Sequence, residues 1–263
     1  AGNGNKDYST TNNIDMTKVN TSTVSINEGS TEGVITNFTL NNTNPKIEKS
    51  FGIFSNYNID FSDTSVSGTT GINKFGHQIN IFGNTKENIG VLTGNDAIYK
   101  LGKGSINLSG TNSTDNIGVL VGGNSATNGK VIGDVVTITG DTTGHTDRGN
   151  RAIVAVGKNS AGTPNSVEVN EVKSTGATNS IAIVADDHST VKVNSSATNS
   201  SSTTPGVNIS GSRYEATAGR PNDNVGAAYA NNGATITMDR ASTSALTPAN
   251  ISIEGGMNGT KHM

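Results

Sequence analysis

The chain has 263 residues, 33 of them Gly, with no Cys or Trp, 31% hydrophobic residues, 15% charged residues and a formal net charge of −3. So few charges, with no block of one sign, argue against a nucleic-acid partner held through phosphate contacts, and no apolar run approaches the roughly 18 residues of a membrane span. The low charge also separates the chain from disordered sequences, while its wealth of Asn, Ser, Thr and Gly suits short strands joined by tight turns.

Residues 1–23 carry no regular pattern and read as a loosely ordered lead-in. From Val24 onward the chain shows strands with period-2 alternation, apolar side chains on one face and polar ones on the other. They run Val24-Ser25-Ile26, Ile59-Asp60-Phe61, Ile79-Asn80-Ile81, Ile106-Asn107-Leu108 and Val136-Thr137-Ile138. Val167-Glu168-Val169, Val191-Lys192-Val193, Val207-Asn208-Ile209, Ile236-Thr237-Met238 and Ile251-Ser252-Ile253 continue the series. No segment shows a helical period.

A second element is interleaved with these strands: a variable residue, a small one, a β-branched one, then an apolar one. It reads Phe51-Gly52-Ile53-Phe54, Ile89-Gly90-Val91-Leu92, Ile117-Gly118-Val119-Leu120, Arg151-Ala152-Ile153-Val154, Ile181-Ala182-Ile183-Val184 and Val225-Gly226-Ala227-Ala228. The second place is always Gly or Ala, and every copy follows an Asn or Ser: Ser50, Asn88, Asn116, Asn150, Ser180 and Asn224. Each strand type returns about every 30 residues, the length of one coil of a solenoid. The spacing therefore predicts an all-β fold, a parallel β-helix of roughly eight rungs without significant helix, in one domain over residues 24–256 with a tail at 257–263. Rungs about 4.8 Å apart make a rod on the order of 40 Å long. Stacked small residues would leave room at a tight corner, and the aliphatic positions would form an interior ladder. A β-sandwich is the structural rival, but a sandwich does not need its strands to repeat.

Three long excursions read as surface loops: residues 140–150, 194–205 and 211–224. All six Phe lie between Phe38 and Phe82, which predicts an aromatic stack inside the early rungs, with a surface platform for sugars as the other reading.

The Cys-free, Gly/Asn/Thr-rich composition and the recurring Asn-Ile-Gly-Val-Leu units resemble the passenger region of bacterial type V autotransporters, above all the long Asn-rich passengers of fusobacterial-type adhesins. The resemblance covers about Val24 to Gly256 and rests on composition and repetition. It implies a right-handed β-helix displayed outside the outer membrane, holding cells to hosts or to other microbes. The lack of a signal peptide, an initiator Met and a C-terminal barrel makes the chain read as a piece of something longer.

Few residues point to chemistry. No Gly-x-Ser-x-Gly occurs, and Gly123-Asn124-Ser125-Ala126-Thr127-Asn128-Gly129-Lys130-Val131 has one residue too many for a phosphate loop and Val131 where a hydroxyl is needed. The four His are isolated, without zinc spacing. Asp186-Asp187-His188 could hold a cation or act as a base, but a solvated turn is the commoner use of such a cluster. Equivalent positions give Asn, Thr, Glu and Lys rather than the stacked carboxylates of pectin-degrading solenoids. The sequence thus predicts no catalytic set, no metal and no cofactor.

For binding, Arg213, Tyr214 and Glu215 with Arg220 join the densest mix of Arg and Tyr to a long loop, and such residues are enriched in hot spots. His145, Asp147 and Arg148 form a weaker candidate in another loop. The expectation is a monomeric, extracellular adhesin segment that contacts a cell-surface protein or glycan without inserting into a membrane. Two alternatives stay open: a polysaccharide-acting β-helix enzyme or phage tailspike, and the solenoid part of a secreted toxin.

Overall fold

The computed structural model describes residues 14–15, 23–27, 34–60, 75–194, 206–214, 225–239 and 250–255. Short alternating strands and positive-φ turns build it, in chain order, as coils of three strands. Strands β1 (Ile14–Asp15) and β2 (Thr23–Asn27) come first. The first coil is β3 (Val34–Glu48), β4 (Phe51–Ser55) and β5 (Ile59–Asp60), and the second β6 (Phe75–Lys86), β7 (Ile89–Thr93) and β8 (Ala97–Lys100). The third is β9 (Lys103–Ser109), β10 (Ile117–Gly122) and β11 (Gly129–Ile132), and the fourth β12 (Val135–Thr139), β13 (Arg151–Val156) and β14 (Ser166–Val169). The fifth is β15 (Glu171–Thr175), β16 (Ile181–Asp186) and β17 (Thr190–Asn194), and the sixth β18 (Val207–Tyr214), β19 (Gly226–Ala230) and β20 (Thr235–Asp239). Strand β21 (Asn250–Gly255) opens a seventh.

Equivalent strands of successive coils pair in parallel, so the first strands form sheet 1, the second sheet 2 and the third sheet 3. The chain is a parallel β-helix, and a sandwich of hairpins is excluded by this pairing. The expected eight rungs resolve, among the described residues, into six complete coils, one strand of a seventh, and the pair β1 and β2. Strand β2 runs antiparallel to β3, and β1 antiparallel to β2. Val24-Ser25-Ile26 alternates like a rung strand, because alternation is blind to strand direction. The alternating strands also divide between sheets 1 and 3, which present the same sequence pattern and so look like one type.

Inside, the columns are apolar. Ile79, Ile106, Val136, Val172 and Val207 line up across sheet 1 and are buried. Val91, Val119, Ile153 and Ile183 do the same in sheet 2, and Tyr99, Val131, Val167 and Val191 in sheet 3. The small place of the repeat points into this core. A Cβ on Gly118 would lie 2.6 Å from the Ala152 carbonyl oxygen and 2.7 Å from Val136 Cγ1, and one on Gly90 2.6 Å from the Gly118 oxygen. The next two coils carry Ala152 and Ala182 at this place, both buried. In the sixth coil the register moves by one: Gly226 pairs with Ile181, so the repeat is Gly226-Ala227-Ala228-Tyr229 rather than Val225-Gly226-Ala227-Ala228.

Asn88, Asn116 and Asn150, each standing just before a copy of the repeat, form a buried ladder at the turn from sheet 1 to sheet 2. Asn88 Nδ2 donates to Asn116 Oδ1 at 3.0 Å, and Asn116 Nδ2 to Asn150 Oδ1 at 3.1 Å. The same oxygens accept backbone N–H groups: Ser50 N–H to Asn88, Asn88 N–H to Asn116, Asn116 N–H to Asn150. The Ser180 hydroxyl donates to the Asn150 carbonyl. Amides carry a donor and an acceptor on one short side chain, which suits a column that must satisfy turns above and below.

The interior aromatic stack is not found among the described side chains. Phe51 is 49% exposed, and Phe54 and Phe82 are half-buried on outward positions beside the partly buried Ile53 and the buried Ile81. Alternation puts them there: Ile79 and Ile81 take the inward places of β6, leaving Phe82 outward. The side chains of Phe38, Phe61 and Phe75 lie outside the described residues.

Candidate functional site

Two parts of the surface stand out, a loop clipped to the corner between sheets 1 and 2 and the outer face of sheet 2. The loop leaves β12 at Gly140. Asp141 folds it: Oδ1 accepts from the N–H groups of Thr143 (3.1 Å) and Gly144 (3.0 Å), and Oδ2 from the N–H (3.3 Å) and hydroxyl (2.7 Å) of Thr146. These donors, Gly144 first and the Thr146 hydroxyl next, lower the Asp141 pKa from 3.8 to about 2.

Asp147 closes the loop and ties it to the next coil. Its carboxylate accepts from the Asp141 N–H at 2.9 Å, the Thr178 N–H at 3.0 Å and the Thr178 hydroxyl at 3.3 Å. It is 1% exposed, and burial pushes its pKa up against the pull of those donors. The candidate Arg213, at the end of β18, reaches the same corner. Its Nη1 lies 3.0 Å from His145 Nε2, its N–H donates to the Ala177 oxygen at 2.9 Å, and its carbonyl accepts from the Asn179 N–H at 2.8 Å. A guanidinium can only donate, so Nε2 accepts and the His145 proton sits on Nδ1. Two residues that were separate candidates in sequence, Arg213 and His145, therefore meet, with Arg213 and Tyr214 in strand β18 rather than in the loop the sequence suggested.

The rest of the predicted binding set is only partly in view. Tyr214 closes β18, with its side chain outside the described residues, and Glu215 and Arg220 lie outside them altogether. Arg148 holds the corner by backbone, donating to the Ser113 oxygen at 3.0 Å and accepting from the Asp115 N–H at 2.8 Å.

Asp186, Asp187 and His188 make a turn between β16 and β17 in which Asp187 and His188 have positive φ (48° and 65°). Asn231 Nδ2 donates to Asp186 at 3.2 Å and Asn232 Nδ2 to Asp187 at 3.0 Å, so the carboxylates hold the turn of the next coil. Among the described residues no three His, Cys, Asp or Glu gather as a metal set. The outer column of sheet 3 mixes its chemistry, with Lys100, Ile132, Glu168, Lys192 and Thr237 in register. The Asn194 amide, then Lys130 at 3.5 Å, lower the Glu168 pKa.

The outer face of sheet 2 is different in kind. One column runs Phe54, Leu92, Leu120, Val154, Val184 and Tyr229, half-buried throughout. Beside it, at the first place of each repeat, stand Phe51, Ile89, Ile117, Arg151, Ile181 and Gly226. Phe51 and Phe54 meet edge to face, with ring centroids 5.4 Å apart. The reading of the repeat as an interior ladder assigns only its middle places correctly. The missed signal was continuity: Ile-Gly-Val-Leu is apolar without alternation, the mark of a strand with apolar side chains on both faces. The chain matches no protein-family model, no curated protein and no solved structure.

Proposed function

We propose that this chain is a non-catalytic stalk and contact segment of a bacterial surface adhesin, displayed outside the cell. The observation that carries the reading is the corner cluster: a rigid stack of coils on which Asp147 clips a long loop against the next coil and His145 meets Arg213. A parallel β-helix also serves polysaccharide-acting enzymes and tailspikes, and fold alone does not choose between them. The mixed column of Lys100, Ile132, Glu168, Lys192 and Thr237 favours contact over glycoside hydrolysis, which calls for paired carboxylates. The sequence resemblance to autotransporter passengers supplies the cellular setting, and the partner is a cell-surface protein or glycan of a host or another microbe.

The test is binding of the fluorescently labelled segment to epithelial and bacterial cells. Saturable binding that falls several-fold in Arg213→Ala, with the β-sheet circular dichroism unchanged, is the expected result. Turnover of any member of a polysaccharide panel would favour the enzyme, and cell rounding by the longer chain would favour a toxin.

A further inference from the structure

Of the twelve positions in the two outward columns of sheet 2, ten carry apolar side chains, Tyr229 included, and the exceptions are Arg151 and Gly226. The outer faces of sheets 1 and 3 do not look like this. Asn80, Asn107, Thr137, Lys173 and Asn208 are in register across sheet 1, and Asn107 Nδ2 donates to Asn80 Oδ1 at 2.8 Å. We propose that the outer face of sheet 2 docks a second copy of this chain, sheet 2 against sheet 2, with the two rods parallel.

The first argument is spacing. The face is a set of ridges about 4.8 Å apart, repeated over six strands, and sheets of this kind pack face to face at about 10 Å. A second copy presents the same spacing over the same length, which a lipid surface or an irregular protein surface does not. The second argument is area. Six strands at about 4.8 Å, each with five residues of about 3.3 Å, make a face on the order of 500 Å². Two copies then bury about 1,000 Å², the lower bound for a specific interface. The pairing is therefore reversible and concentration-dependent, unlike the monomer expected from sequence.

The third argument sets the orientation. With a two-fold axis along the rods, each coil meets its own equivalent and the first column lies on the fourth-place column. Phe51 then covers Phe54, Gly226 leaves room for Tyr229, and Arg151 lies on Val154. The two Arg151 side chains stand about 10 Å apart across the face. Antiparallel rods would instead set the third coil on the fourth and bring the two Arg151 side chains into adjacent coils, where like charges repel.

The chain has no cysteine, so single-cysteine variants report without background. Mixing Ile89→Cys with Leu92→Cys under mild oxidation should give the mixed disulfide-linked dimer. Sedimentation equilibrium should show a monomer–dimer equilibrium that weakens about tenfold or more in Phe51→Glu and in Leu120→Glu, both outward substitutions. Circular dichroism checks the fold of each, and if one unfolds, the cysteine pairing decides. A chain that stays monomeric at about 1 mM, or a mixed disulfide between Ile89→Cys and Ile181→Cys in place of the predicted one, would overturn the proposal.

Discussion

The side-chain amide of Asn116 donates to Oδ1 of Asn150, one coil further along the rod, at 3.1 Å, and both residues are buried. Asn116 Nδ2 also reaches Thr85 Oγ1 at 3.2 Å and Ser113 Oγ at 3.0 Å, while its oxygen accepts from the N–H and the amide of Asn88. One side chain thus satisfies groups on three successive coils.

Asn116→Ala removes the acceptor shared by two buried donors, the N–H and the side-chain amide of Asn88. Each such group costs about 1–3 kcal/mol, so the variant should lose about 3 kcal/mol or more. Thr111→Ala, at an exposed turn, should stay within about 0.5 kcal/mol of the parent. Urea midpoints of the two variants make the comparison, and equal midpoints would remove the ladder from the stability of the rod.

Ile138 and Thr137 are neighbours in β12 with opposite surroundings. Ile138 is buried between Leu108 and Ser174, while Thr137 stands on the outer face between Asn107 and Lys173. Ile138→Asp should cost several kcal/mol, because a charge there has no water and no partner. Thr137→Asp gains a cation beside it and should be tolerated. The check is the melting temperature of each, and equal values would sink the inside–outside assignment.

The repeat, its small second place and the alternation of Ile79, Ile106 and Ile138 were legible in sequence because each is a strictly periodic packing demand. The split of alternating strands between sheets 1 and 3 was not, since Ile106-Asn107-Leu108 and Val167-Glu168-Val169 obey the same period. The antiparallel setting of β2 escaped for the same reason. The meeting of Arg213 with His145 joins residues 68 apart through coil stacking, which no local pattern records. The apolar outer face was concealed because Leu92 and Val91 look alike in composition, although one faces out and the other in.

Two carboxylates of one loop should respond to acid with opposite signs. Asp141 has a folded pKa of about 2, below its ordinary 3.8, so its contribution is fully present above pH 4 and is lost as pH falls toward 2. Asp147 has its folded pKa raised, so ionising it works against folding, and its contribution improves as pH falls through the raised value. Asp141→Asn should flatten the acid limb of the stability profile, and Asp147→Asn should remove the gain on mild acidification. Stability measured by urea melts from pH 7 to pH 2.5 reads both, and the same sign for the two variants would contradict the geometry.

The most direct measurement is amide hydrogen exchange, residue by residue, on Gly118→Leu. Gly118 faces the core between Gly90 and Ala152, where even a Cβ would press on the Ala152 carbonyl and Val136, and overpacking of that kind costs about 1–3 kcal/mol. Coils of a solenoid touch only their neighbours, so the damage should stay local. Exchange should accelerate over residues 89–156 while β19 and β20, two coils or more away, keep the protection of the parent. A uniform loss of protection from β6 to β20 would contradict a rod of stacked coils, and so would an unchanged pattern.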